Sequence, residues 1–187
     1  MAKFNEEKTL AAILFLASQD GEIDLYALLK TLYYADKNHF QEWGRTITRD
    51  NYVRMDYGPV PYRTYDMLKS VRGDGFWPQD LSEFFRFKTR TTLEPLREPD
   101  MTRLSETDAE ALRKSFAERG HKNFWQLKEE AHNDSAFKRS PDEWKMTEDD
   151  LAEDDPILME QLKNIRENER FLENLRYLAP RDEEEIC

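Results

Sequence analysis

The segment from Asp24 to Gly44 constrains the fold most, because it places charge on a helix face that has to be buried. Leu25, Leu28, Leu29, Leu32 and Ala35 recur at helical spacing. Asp24 is positioned to cap the first turn and Gly44 to close the last. With about 100° per residue and Leu32 as zero, Asp36 lies at roughly 40°, His39 at about −20° and Trp43 at about 20°. An Asp without partners on that face would cost roughly several kcal/mol. The fold therefore has to deliver donors to Asp36 from elsewhere in the chain.

The rest of the chain reads as further helices around small β elements. A first helix is predicted over 5–18. Its run Leu10 to Ala17 is apolar almost all round and belongs in the core. Thr46–Thr48 and Tyr52–Met55 are predicted to pair as a small hairpin. Gly58 and Val60 each precede proline, which pushes them towards extended backbone, and Pro61 suits the first turn of a third helix. Phe84–Arg90 is expected to pair with Thr92–Glu94. Ser105 with Asp108 approximates a capping box for a fourth helix ending at Gly120, and a fifth helix is predicted over 124–131. Residues 133–146 read as irregular, 148–155 as an acidic linker and 156–178 as a last helix. The fold class is mainly α with a small β hairpin: a single compact helical domain over 1–145, then an acidic linker, C-terminal helix and charged tail over 146–187.

Charge narrows the partners. The chain of 187 residues has a net charge of −11. Residues 146–187 hold fourteen Asp/Glu against five Lys/Arg, a net of −9, while the first 145 hold 25 against 23, a net of −2. Nucleic acid demands a basic surface, and none segregates here, so it is an unlikely partner. The acidic end reads instead as an interaction segment. The one cysteine, Cys187, allows no disulfide framework or thiolate metal site, which fits a cytoplasmic protein. The longest apolar run is too short to span a bilayer and lacks a basic leader, so neither a membrane anchor nor a signal peptide is expected.

Catalytic signatures are missing: no nucleophile elbow, P-loop or zincin helix occurs. Gly73-Asp74-Gly75 is half a dinucleotide loop without the flanking strand and helix. His39, His121 and His132 lack metal-ligand spacing, and the acidic clusters lack that of a calcium loop. No catalytic residue, metal or cofactor is therefore expected. The one acid–base pair worth testing is Asp36 with His39, which share a face; the reading preferred is a satisfied core pair.

Residues 28–40 read Leu-Leu-Lys-Thr-Leu-Tyr-Tyr-Ala-Asp-Lys-Asn-His-Phe. They are followed by Gly44-Arg45-Thr46-Ile47-Thr48, by Asp50, and by Tyr57-Gly58-Pro59-Val60. This resembles the SocA-like Panacea domain, an antitoxin domain of bacteria and their phages. The shared pattern is a leucine-rich helix ending in Tyr-x-Ala-Asp, a Gly-Arg-x-Ile/Leu-Thr turn with a nearby Asp, and a Tyr-Gly-Pro-Val turn opening the next helix. A weaker echo lies in Leu127 to Phe137, a helix-ending His followed by an aromatic. The resemblance covers roughly 8–140, and Arg49 departs from it where glycine is common. It implies a mainly helical fold with a small β element and no enzyme activity. It also implies a protein partner: the family's members neutralise cognate toxins by direct binding, and some deliver the toxin to a protease. The motif residues Tyr34, Asp36, Gly44, Asp50, Tyr57, Gly58, Pro59 and Val60 are read as structural, with Asp36 accepting backbone N–H groups from the glycine–proline loop.

The resemblance stops before the last helix, where Leu158, Leu162, Ile165 and Leu172 form an apolar stripe. Packed on the parent domain, the stripe is core. Left free, it is a partner-binding or dimer-forming arm with acidic flanks, and these four residues are the candidate contacts. The surface around Tyr26, Tyr33 and Tyr34 is the other place for a reader of the partner. A DNA-binding or regulatory protein of a mobile element is the alternative from a different class.

Overall fold

In the computed structural model, residues 4–140, 145–153 and 155–178 are described, the side chains of 169 and 172–178 excepted. Leu172 as a contact, and the charged tail with Cys187, lie outside the described residues. Helix α1 (Glu6–Ser18) starts where the Asn5 side chain accepts the Lys8 N–H at 3.1 Å. It is buried on every side from Ala11 to Ala17. After it, β1 (Ile23–Asp24) leads into α2 (Leu25–Trp43). The Asp24 carboxylate accepts the N–H groups of Tyr26 and Ala27, and Gly44 closes the helix at φ 69°. Both caps agree with the sequence.

The hairpin differs from expectation. Strand β2 (Tyr52–Met55) pairs antiparallel with β3 (Gly58–Pro61), Val53 opposite Val60, and not with Thr46–Thr48. The reason is that the Ile47 and Thr48 N–H groups are committed to Asp36, which leaves no ladder donors there. The glycine–proline segment, already extended by its prolines, takes the edge position that a chain lacking N–H donors tolerates. Pro61 accordingly ends the strand and caps α3 (Tyr62–Val71) from outside. Strands β4 (Phe85–Phe87) and β5 (Thr92–Pro95) pair as expected, and β1 adds to β5 to give the sheet order β1-β5-β4.

A 3₁₀ turn (Met101–Arg103) precedes α4 (Glu106–Arg119), whose capping box between Ser105 and Asp108 is formed on both sides. Helix α5 (Phe124–Asn133) is followed directly by α6 (Ser135–Arg139) and then β6 (Lys145–Met146), which completes the second sheet in the order β3-β2-β6. Residues 133–146, expected to be irregular, thus carry a helix and a strand; Asp134 caps α6 by accepting the Phe137 N–H at 3.0 Å. The expected acidic linker is also helical: α7 (Glu148–Ala152) starts in a Thr147–Asp150 capping box. Its acids sit in the first turn, where the helix dipole favours them, and Leu151 and Ala152 are buried. Helix α8 (Pro156–Leu178) comes last. The described chain is mainly helical with two small antiparallel sheets, and none of its helices is long and apolar enough to cross a membrane.

Two apolar clusters result. The larger joins α1, the first half of α2, α4 and the β5 strand through residues such as Leu14, Leu28, Leu32, Leu93 and Leu112. The second joins Tyr33, Tyr34 and Phe40 of α2 with Tyr52, Met146, Leu151, Leu158 and Leu162. Helix α2 faces both, and Lys30, Thr31 and Lys37 are buried on it along with its leucines. Trp43, expected on the buried face, is 55 % exposed, because α2 runs on past its apolar partners; its ring lies 6.4 Å from that of His39.

Candidate functional site

Asp36 is wholly buried and fully partnered. One carboxylate oxygen accepts the N–H groups of Ile47 at 2.7 Å and Thr48 at 3.1 Å, and the other accepts the Thr48 hydroxyl and the Tyr52 hydroxyl, the latter at 2.6 Å. Burial raises its pKa to about 6, while the four hydrogen bonds pull the other way. The donors come from the Gly-Arg-Thr-Ile-Thr turn and β2, not from the glycine–proline loop expected. That loop reaches α2 through other atoms.

Thr48 passes the network on by accepting the Asp50 N–H at 3.1 Å. The Asp50 carboxylate then accepts N–H groups of Asn51, Arg63 and Thr64 and the Thr64 hydroxyl at 2.7 Å. Asp50 thereby satisfies donors at the start of α3 that Pro61 cannot. Arg49, the departure from the family pattern, sits at φ 56°, where glycine is cheaper.

The Tyr-Gly-Pro-Val turn is held from α2 by two side chains. Lys30, buried, donates to the Pro59 carbonyl at 2.6 Å, and the Tyr26 hydroxyl donates to the Tyr57 carbonyl at 2.6 Å. Lys30 also stands 5.0 Å from the Tyr26 ring centroid. Gly58 takes φ +100°, and a Cβ there would lie 2.6 Å from the Ala131 Cβ and 3.0 Å from the Lys30 Nζ. His132 Nε2 donates to the Asp56 carbonyl at 2.8 Å, and the ring stacks on Phe137 at 5.3 Å.

Burial lowers the Lys30 pKa from 10.5 to about 7. The unfolded chain keeps that proton to about pH 10.5 and the folded chain releases it near 7, so unfolding across this window takes up a proton and Lys30's contribution to stability rises with pH. Thermal melts from pH 7 to 9 should show a larger rise in the parent than in Lys30→Met. Parallel curves would mean that Lys30 stays charged in the fold.

At the far end of α2, Tyr33 donates to Asp134 at 2.9 Å and Lys37 to the same carboxylate at 2.5 Å; Lys37 also pairs with Glu153. Tyr34 is buried with Arg119 3.9 Å above its ring. The Asp36–His39 acid–base pair does not form. His39 Nδ1 donates to the Arg45 carbonyl at 2.8 Å, and its Nε2 faces Thr107 and Asp108. Asp108 in turn pairs with Lys8 and Arg45, and its carboxyl is held down at about 2 despite the opposing burial, through hydrogen bonds from Lys8 and Ser105. Among the described residues no His, Cys, Asp and Glu cluster could hold a metal.

The candidate contact residues separate. Leu158 and Leu162 are buried in the second cluster, at roughly 1.5–3 kcal/mol for a fully buried leucine. Tyr33 is buried as well and so cannot read a partner from the surface. Ile165 is exposed, and Tyr26 is half-buried. Tyr26 belongs to an aromatic group the sequence did not single out. Its ring lies 4.7 Å from Phe124, which lies 5.4 Å from Tyr57 and 5.2 Å from Trp125. Trp125 is 71 % and Tyr57 53 % exposed. A signal existed: Trp125 stands about 160° from Leu127 around α5, on the polar side of the helix.

A family model described as antitoxin SocA-like, Panacea domain, matches residues 28–138. No curated protein and no solved structure matches the chain.

Proposed function

The chain belongs to the SocA-like antitoxin, Panacea domain family, and from that membership we propose that it neutralises a cognate protein toxin by direct binding in the cytoplasm of a bacterium or phage host. The motif supports a non-catalytic reading, since the Asp36 and Asp50 carboxylates are turned inward on backbone N–H groups and hydroxyls. The observation that carries the choice of partner is the course of α8. No described residue of it is buried beyond Leu162, and Ile165 and Phe171 are 47 % and 61 % exposed, outside the family match, on a helix whose four acidic and four basic residues cancel. Such a helix offers apolar anchors to a groove, while the acidic residues that flank it in sequence, over 148–155 and 182–185, supply the charge that steers a basic partner. Delivery of the toxin to a protease, or self-association through the same helix, would be elaborations of this role. A DNA-binding role would need a basic face, against a net charge of −11.

The test is co-expression with the product of the adjacent reading frame. That product should arrest growth alone, and the chain should restore growth. Ile165→Ser with Phe171→Ser should weaken the purified complex about tenfold, the loss of one modest apolar contact, with an unchanged melting temperature. Leu158→Ala with Leu162→Ala should instead lower the melting temperature. Growth arrest that the chain does not relieve would overturn the antitoxin reading.

A further inference from the structure

The aromatic group at the Tyr-Gly-Pro-Val turn has no structural need for its outermost members. Tyr26 and Phe124 are at least partly covered, but Trp125 and Tyr57 present their rings to solvent at the junction of the β2–β3 turn and the start of α5. Lys128 lies between them, its ammonium 5.2 Å from the Tyr57 centroid and 5.7 Å from that of Trp125. Among the described residues no carboxylate pairs with Lys128, whereas Lys122 on the same stretch pairs with Glu130 at 2.7 Å. The patch is therefore a rigid aromatic platform with one uncompensated cation at its centre. Its rigidity has a visible source: the Tyr57 carbonyl is pinned by Tyr26, the Pro59 carbonyl by Lys30, and the Asp56 carbonyl by His132.

Resting on the antitoxin reading, we propose that this platform is the anchor site for the toxin, and that it takes an apolar side chain of the toxin against Trp125 and Tyr57 with a neighbouring toxin carboxylate on Lys128. Tyr and Trp held in one position give large contact area at little cost in side-chain entropy, which is the composition of binding hot spots. A carboxylate reaching Lys128 would be flanked by rings that exclude water, so the pair would be stronger than on an open surface. A second copy of the chain fits less well. A twofold contact centred on these rings would bring two Lys128 ammoniums together. Stacked nucleobases fit less well still, because one lysine on a chain of net −11 cannot neutralise a phosphate backbone. The platform gathers at Tyr26 in the first turn of α2, whereas Ile165 and Phe171 lie on α8 beyond Leu162, which packs in the cluster of Tyr33, Tyr34 and Phe40. The two surfaces can therefore be lost separately.

The experiment uses the full chain with the adjacent-frame product, read by growth rescue and by calorimetry on the purified pair. Trp125→Ser should weaken binding at least about 30-fold, the threshold of a hot spot, with the parent's melting temperature because the ring is exposed; Trp125→Phe should recover most of it. Lys128→Glu should weaken binding and Lys128→Arg should not. Full affinity in both Trp125→Ser and Lys128→Glu, with rescue by the parent intact, overturns the anchor site and leaves the antitoxin reading standing. Failure of the parent to rescue overturns both. A dimer in light scattering that Trp125→Ser converts to monomer, or Trp125 fluorescence quenched by a single-stranded oligonucleotide at physiological salt, also overturns the proposal in favour of those occupants.

Discussion

Replacement of Asp36 by alanine is expected to lower stability by about 3–4 kcal/mol, seen as a melting temperature roughly 10 °C lower for a chain of this size. The substitution removes the carboxylate that accepts from two backbone N–H groups and two hydroxyls at once. Hydrogen bonds to a charged acceptor contribute about 1.5–3 kcal/mol each. Their sum is not recovered in full, because the variant no longer has to desolvate a carboxylate. Asp36→Asn should lose less, since its amide oxygen can still accept from Ile47 and Thr48 while the two hydroxyls turn to accept from its NH₂. The two variants also separate by pH. Asp36 titrates near 6 folded and near 3.8 unfolded, so the pH-dependent part of its contribution is fully present below about 3.8 and is lost as pH rises through about 6, where the hydrogen bonds to the ionised carboxylate remain. The difference in stability between parent and Asp36→Asn should follow that course. If Asp36→Ala melts like the parent and yet fails to bind the toxin, Asp36 is a contact residue and the network described here is incidental.

Helix existence was legible wherever an apolar period met a cap: Asp24 and Gly44 bound α2, and Ser105 with Asp108 opens α4. Acidic composition hid α7, because Leu151 and Ala152 are too short a run to register as a period, although Thr147 with Asp150 spells its capping box. The hairpin partner was misplaced for a different reason. β-branched Thr46–Thr48 carries strand propensity, but a carboxylate eleven residues back competes for the same N–H groups and wins. The sequence showed that Asp36 needed donors without showing which loop would supply them. Lys30 was invisible because α2 is buried on nearly every side, so a helical wheel assigns its lysines to a polar face that does not exist. The stripe of α8 is one surface on a helical wheel, and the fold divides it: Leu158 and Leu162 are core and Ile165 is exposed. Where a helix leaves the domain depends on what stands beside it, and that is a tertiary property.

Gly58→Val should destabilise by about 3–5 kcal/mol, from two separable causes. At φ +100° an L side chain is strained whatever the space around it, at roughly 1–3 kcal/mol, and a β-branched one has no relaxed rotamer there. The new Cβ would also stand 2.6 Å from the Cβ of Ala131, a buried residue of α5 that cannot move without shifting the helix, and overpacking of this kind adds about 1–3 kcal/mol. Gly58→Ala meets both costs in milder form, so it is the better probe of their ratio. Ala131→Gly removes the opposing methyl at about 1 kcal/mol of helix propensity. In the double-mutant cycle the pair should be more stable than the two single effects add up to, by at least about 1 kcal/mol, and what remains is the backbone term. Additive effects would mean that no close approach exists at this turn. The same cycle bears on binding. Tyr57 precedes Gly58, so a turn displaced by Gly58→Ala should carry that ring away from Phe124 and Trp125. Relief of the clash by Ala131→Gly should then return toxin affinity along with stability, which a loss of folded protein alone, corrected for by the folded fraction, would not produce.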